Sequence, residues 1–280
     1  MLSYRHHFHA GNFADVFKHV VLTLLLKALH AKDKPFCYFE THAGAGAYDL
    51  RGNEAQKNRE FEDGIARVWQ RSDVPAALAD YVASVRRINR ERKELRFYPG
   101  SPRVARALLR PADRMVLCEL HSSEVPLLRH EFSGDDQVTI LPQDGYDALG
   151  KQLPPRERRG LVLIDPAYER KDEPDRVVAA VKLAHARWAT GIFAVWYPLQ
   201  DRASQARWQQ RFRSTAIPKL LCAEVCVQPL DVASRMNGTG MMIVNPPWKL
   251  KEQLDEVLPW LTTALTPDGG GGARVEWLNP

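Results

Sequence analysis

The chain has no apolar run approaching the roughly 20 residues that a membrane span needs. Its opening Met1-Leu2-Ser3-Tyr4-Arg5-His6-His7 also lacks the apolar core of a secretory signal. Both absences predict a cytoplasmic protein without a membrane partner. Cysteine is scarce: Cys37, Cys118, Cys222 and Cys226 are the only ones, and none forms a Cys-x-x-Cys pair. That spacing argues against a zinc site and fits reduced thiols packed in strands. His7-Phe8-His9 has no carboxylate-rich partner segment, so no metal site is expected. A complete Gly-x-Gly-x-x-Gly is missing too, because Asp49 stands where the last glycine belongs. That argues against a dinucleotide such as NAD and for another adenosine-bearing ligand. There is no internal repeat.

What is present fits a soluble globular chain. With 280 residues, 45% hydrophobic and 26% charged, it can build one large α/β domain with room for an inserted subdomain. A formal net charge of +5 tolerates a nucleic-acid partner without requiring one.

Leu161 to Tyr168 reads L-V-L-I-D-P-A-Y. Four consecutive aliphatics predict a strand buried on both faces of a parallel sheet. Pro166 cannot continue the ladder, so a loop begins at Asp165, at the strand end where open α/β sheets bind ligands. The exocyclic amine of adenine is a poor nucleophile because its lone pair is delocalised into the ring. Acceptors on both of its N–H bonds, here the Asp165 carboxylate and the Pro166 carbonyl, favour a pyramidal nitrogen. Tyr168 offers a π-face to a base that has left its helix. The segment resembles the Asp-Pro-Pro-Tyr motif of adenine-N6 amino methyltransferases, with Ala167 in place of the second proline.

Taken in order, Asn12 caps a helix running to about Leu29, with Lys18 and His19 on it. Phe36–Phe39 is the first strand and leads into Glu40-Thr41-His42-Ala43-Gly44-Ala45-Gly46. Gly44 and Gly46 let that turn approach a nucleotide closely. Residues 50–95 read as a helical insertion, with one stripe over Phe61, Ile65, Val68 and Trp69 and another over Leu78 to Ile88. Its basic run, Arg86, Arg87, Arg90, Arg92, Lys93 and Arg96, reads first as a solvated face. Ser101 is expected to cap a helix with Pro102 at its first position. Strand two, Met115–Cys118, ends in Glu119, where such folds hold ribose hydroxyls. Strand three, Val138–Leu141, leads to Asp144-Gly145, set to contact an adenine edge. Beyond the Leu161 strand come a helix over Val177–Trp188, a strand over Ile192–Tyr197 and a helix over Ser204–Phe212. Strands over Leu220–Val227 and Met241–Val244, a helix over Leu250–Leu265 and a short terminal strand follow. Asn245-Pro246-Pro247-Trp248 fits the amino-methyltransferase pattern formally, but topology places it away from the crevice, as a structural turn.

Together, the segments Y-R-H-x-F-H-A-G-N-x-A-D-V-x-K-H, T-H-A-G-A-G, Y-P-G-S-P, L-I-D-P and V-N-P-P-W-K-L resemble the RlmJ family of 23S ribosomal RNA adenine-N6 methyltransferases. The resemblance spans Met1 to Trp277. It implies a Rossmann-like, mostly parallel seven-stranded sheet and S-adenosylmethionine as cofactor. It implies one methyltransferase domain built from residues 1–49 and 96–280, interrupted by the insertion 50–95. The positions matching cofactor contacts are His19, His42, Ser101, Glu119, Asp144, Gly145 and Asp165, with Asp165 also the catalytic acceptor. Tyr4, His6 and Lys18 match elements that engage the target nucleotide. Lys18 cannot be the base for a nitrogen whose proton becomes acidic only after attack, so a phosphate contact is expected for it. The expected partner is 23S RNA, protein-free or in an early assembly intermediate, met by a monomer. The alternatives are methylation of DNA adenine or of a protein side chain, and a binder of cofactor or RNA inactivated by Ala167.

Overall fold

The structure, a computed structural model, describes residues 4–90, 94–232 and 236–280. Arg92 and Lys93 of the basic run lie outside the described residues. Asn12 accepts the backbone N–H of Asp15 at 2.9 Å and so caps α1 (Phe13–Leu29). Then follow β1 (Cys37–Glu40), β2 (Ala47–Asp49), α2 (Asn53–Asn58), α3 (Ala79–Ile88), β3 (Phe97–Pro99) and α4 (Ser101–Arg106). The next elements are β4 (Arg114–Cys118), α5 (Glu124–Glu131), β5 (Val138–Leu141), α6 (Gly145–Gln152) and β6 (Gly160–Ile164). The chain continues through α7 (Glu173–Arg187), β7 (Ile192–Leu199), α8 (Arg202–Arg213) and β8 (Leu220–Cys226). It closes with β9 (Gly238–Val244), α9 (Leu250–Leu265) and β10 (Gly272–Asn279).

The main sheet runs β10-β8-β9-β7-β6-β1-β4-β5. From β5 to β7 neighbouring strands are parallel, whereas β9 runs against β7 and β8, and β10 against β8. The expected seven-stranded frame is thus present, and β10 extends its edge as an eighth strand. From β1 the chain moves outward to β4 and β5, then returns to β6 on the other side of β1. That reversal leaves a crevice at the carboxyl ends of β1 and β6.

Every residue of β6 is buried, and alternation assigns its side chains to two cores. Leu161 and Leu163 pack in the core shared with α1 and α9, Val162 and Ile164 in the core shared with α6, α7 and α8. The continuous aliphatic run records this double coverage. Because β9 is antiparallel, Asn245 emerges at the amino-terminal ends of the parallel strands, opposite the crevice, where its Nδ2 donates to the carbonyls of Ala189 and Gly191 at 2.8 Å each. Asn245–Trp248 is a turn, as topology predicted.

Two local expectations fail. Phe61–Trp69 forms short 3-10 turns over Glu60–Glu62 and Ile65–Arg67, not a helix. The N–H of Ile65 is drawn to the Gly11 carbonyl at 2.8 Å, which breaks the helical ladder while Ile65 and Val68 stay buried. Ser101 is the first residue of α4 and Gly100 its cap. The Ser101 hydroxyl is turned instead to Glu40. The β2–β3 pair, Ala47 opposite Pro99 and Asp49 opposite Phe97, brings together the two ends of the intervening segment. Among the described residues, no helix is long and apolar enough to cross a membrane.

Candidate active site

A cavity of about 490 Å³ opens over the carboxyl ends of the parallel strands. Thr41 to Gly44 enter it from β1, Glu119 from β4, Asp144 and Gly145 from β5, Asp165 to Tyr168 from β6, and Trp196 and Pro198 from β7. Tyr4, His6, His9, Asn12, Asp15, Lys18 and His19 close it from the amino-terminal side. The residues singled out in the sequence therefore converge, with Gly46 the exception. Gly46, at φ +84°, serves the turn itself: its carbonyl accepts Gly100 N–H at 2.9 Å. Gly145 is required by close approach, since a Cβ there would stand 2.1 Å from the Thr41 carbonyl.

One relay crosses the amino-terminal wall. Tyr4 OH meets His6 Nδ1 at 2.8 Å, and His6 Nε2 meets Asp15 Oδ2 at 2.8 Å. Asp15 Oδ1 is 2.8 Å from Lys18 Nζ, which is 2.6 Å from Asp165 Oδ2. Asp15 and Lys18 share a face of α1 at three-residue spacing. Lys18 was expected on an RNA phosphate; here its ammonium pairs with two carboxylates, with only 4% of the residue exposed. Burial alone would lower the Lys18 pKa, yet Asp15 and Asp165 outweigh it and raise it. Burial likewise works against the Asp15 carboxylate, but His6 and Lys18 hold it well below the usual range. Asp15 was missed in the sequence, although its spacing from Lys18 was the available signal.

Farther in, His19 Nδ1 bonds Tyr98 OH at 2.8 Å, while its buried Nε2 has no partner among the described residues. Burial, then Lys18, push its pKa down to about 3, so the ring is neutral. Burial also lowers the pKa of His42, whose Nδ1 meets Thr41 Oγ1 at 2.8 Å. Glu119 accepts the N–H groups of Gly44 and His121, each at 2.7 Å, which orients its carboxylate in the cavity. Asp144 caps α6 through Tyr146 N–H at 2.8 Å and pairs with Arg176 at 2.9 Å. No local pattern marked Arg176. Tyr168 sits at φ +52°, its hydroxyl donating to the Trp196 carbonyl at 2.5 Å and its ring tilted against Trp196.

Glu40, fully buried, accepts from Ser101 and from Tyr38 OH. Burial raises its pKa from 4.5 to about 8. Between those values the folded chain keeps a proton that the unfolded chain releases, so stability falls as pH rises through that window, by up to about 1.4 kcal/mol per unit. Glu40→Gln removes this dependence. Urea unfolding should show the variant gaining on the native protein by a few kcal/mol between pH 5 and 8, on the order set by that slope. A difference independent of pH would contradict the assignment.

The family described as "Ribosomal RNA large subunit methyltransferase D, RlmJ" matches residues 33–279. The chain belongs to the RlmJ family. Two relatives called ribosomal RNA large subunit methyltransferase J support the same membership. The Haemophilus influenzae protein is 47% identical over 280 residues and the Escherichia coli protein 48%, each alignment covering 100% of both chains. The crystal structure of a Legionella pneumophila protein has 39% identity and a TM-score of 0.89, covering 96% of this chain and 98% of that one. A probable spermidine synthase from Corynebacterium glutamicum, at 12% identity and TM-score 0.50, covers 95% of this chain and 75% of that one. It shares the fold alone. The fold of this RlmJ-family chain is thus the Rossmann-like methyltransferase fold.

Proposed function

We propose that this RlmJ-family chain transfers a methyl group from S-adenosylmethionine to N6 of a single adenine in 23S ribosomal RNA. The observation that carries the reading is Asp165 at the crevice between β1 and β6. Its Oδ2 is taken by Lys18, and no described residue donates to its Oδ1. Oδ1 and the Pro166 carbonyl are then two acceptors for the two N–H bonds of an adenine amine.

The cavity's chemistry fits a sulfonium-bearing nucleoside. Asp15, Glu60, Glu119, Glu124, Asp144, Asp165, Glu169 and Glu173 line it against Lys18, Arg170 and Arg176, so its wall favours a cation over a bare phosphate. His19, His42, Ser101, Glu119, Asp144, Gly145 and Asp165 would hold the cofactor, Glu119 at the ribose hydroxyls, with Gly44 shaping the turn beside them. The unpaired His19 Nε2 supports a polar ligand atom beside it. When bound, the cofactor supplies an electrophilic methyl group for in-line displacement.

Asp165 and Pro166 orient the amine lone pair and Tyr168 presents a fixed ring, while the closed amino-terminal wall excludes water. Lys18 fixes the Asp165 carboxylate through a charge-assisted bond and prevents its rotation. We reassign Lys18 to this role in place of a phosphate contact. Tyr4 and His6 reach the target nucleotide from the same wall. Residues 50–95 read as an insertion in one methyltransferase domain.

A side-by-side assay with labelled S-adenosylmethionine tests the substrate class. Protein-free 23S RNA should accept label at least about 100-fold faster than adenine-containing DNA, a discrimination within reach of sites that read a hydroxyl. Equal labelling, or labelling of DNA alone, would refute the RNA assignment.

A further inference from the structure

Four side chains, contributed by α7 and by the start of α6, form one closed cluster at the cavity. Asp144 accepts Tyr146 N–H on Oδ1 at 2.8 Å and Arg176 Nη2 on Oδ2 at 2.9 Å. The Arg176 guanidinium lies over the Tyr146 ring, 4.7 Å from its centroid. Its Nη1 is 3.4 Å from Glu173 Oε1, which also accepts Tyr146 OH at 2.7 Å. Asp144, Glu173 and Arg176 all line the cavity. Methyl transfer itself requires no arginine here.

We propose that Arg176 is a positioning residue that sets base specificity at the cofactor end, holding Asp144 so that it takes a 6-aminopurine and rejects a 6-oxopurine. The inference rests on the reading that the cofactor is S-adenosylmethionine. An ionised carboxylate carries only acceptor lone pairs. With Tyr146 N–H on one oxygen and Arg176 on the other, the group cannot turn, and only a donor can match what remains exposed. The adenine amine is such a donor. The 6-oxygen of hypoxanthine is an acceptor, and it would leave the carboxylate facing an unmade bond, the costly case. A planar guanidinium can both pair with Asp144 and stack on Tyr146, which an ammonium cannot reproduce. Glu173 begins α7, which starts only a short stretch after the Asp165–Tyr168 loop.

The test is calorimetric titration of the native chain, Arg176→Gln and Arg176→Lys with S-adenosylhomocysteine and S-inosylhomocysteine. The native chain should prefer the adenosyl ligand by roughly 10- to 100-fold, the range of one charged hydrogen bond. Arg176→Gln should reduce that preference to about threefold or less, with Arg176→Lys between, because the ammonium keeps charge without the fork. The thermal midpoint should barely move, since a third of the Arg176 side chain is already exposed. Equal native affinity for the two ligands, or an unchanged preference in Arg176→Gln, overturns the inference. So does an equal loss for both ligands, which marks a purely structural arginine. Failure of the native chain to bind S-adenosylhomocysteine overturns the cofactor reading itself.

Discussion

Asp165→Ala should lower methyl transfer by about 1,000-fold or more, in line with the loss of a principal transition-state partner, while the chain stays folded. Asp165→Asn should be nearly as poor, for a reason specific to this site. Lys18 offers only donors and stands 2.6 Å from Asp165 Oδ2. It claims the single amide oxygen of an asparagine and turns the NH2 group towards the substrate amine, donor against donor. Removing the lysine frees the amide to rotate, so Asp165→Asn/Lys18→Met should recover part of what Asp165→Asn loses. Single-turnover rates check this. Turnover within about tenfold of native in Asp165→Asn, a difference of one RT ln 10, would show that Lys18 does not dictate the orientation.

Lys18→Met should destabilise the chain by about 3–5 kcal/mol, the usual cost of stripping the partner from a buried ion pair. The two carboxylates it leaves are both shielded: the side chains of Asp15 and Asp165 are 2% and 14% exposed. Asp15 keeps His6 and the Gly11 N–H at 2.9 Å, so it is only partly orphaned. A second change, Asp15→Asn in the Lys18→Met background, should restore part of the stability by removing one uncompensated charge. Urea unfolding measures both. A loss below about 1 kcal/mol would mean that the pair behaves as a surface salt bridge. Such a result would contradict its role as a rigid holder of Asp165.

Much of the fold was legible because its signals are local. The aliphatic run before Asp165 reads as a doubly covered strand, and the antiparallel β9 explains why Asn245–Trp248, the better formal motif, lies at the wrong end of the strands. The Phe61–Trp69 stripe misled because Gly11, far earlier in the chain, captures the Ile65 N–H. Ser101 misled because a buried carboxylate, Glu40, competes for its hydroxyl. In the site, strand ends predicted Glu119, Asp144 and Asp165: Glu119 and Asp165 follow directly from a strand's apolar run, and Asp144 comes just after one. Arg176 was silent, because its partners Asp144 and Tyr146 are brought to it only by the packing of α6 on α7. Lys18 was visible but its two carboxylate partners were not, as a buried pair and a phosphate contact look alike before distances are known.

Ala167, exposed at the cavity rim, is where the chain departs from the Asp-Pro-Pro-Tyr pattern. It leaves Asp165, the Pro166 carbonyl and Tyr168 in place, so activity should survive it. The most direct measurement is mass spectrometry of nucleosides from unmodified, protein-free 23S RNA after incubation with the purified chain and S-adenosylmethionine. One new N6-methyladenosine per RNA, formed by the native chain and lost in Asp165→Ala, is the predicted result. Bound cofactor with no new N6-methyladenosine, in a chain that gains activity only on Ala167→Pro, would contradict it.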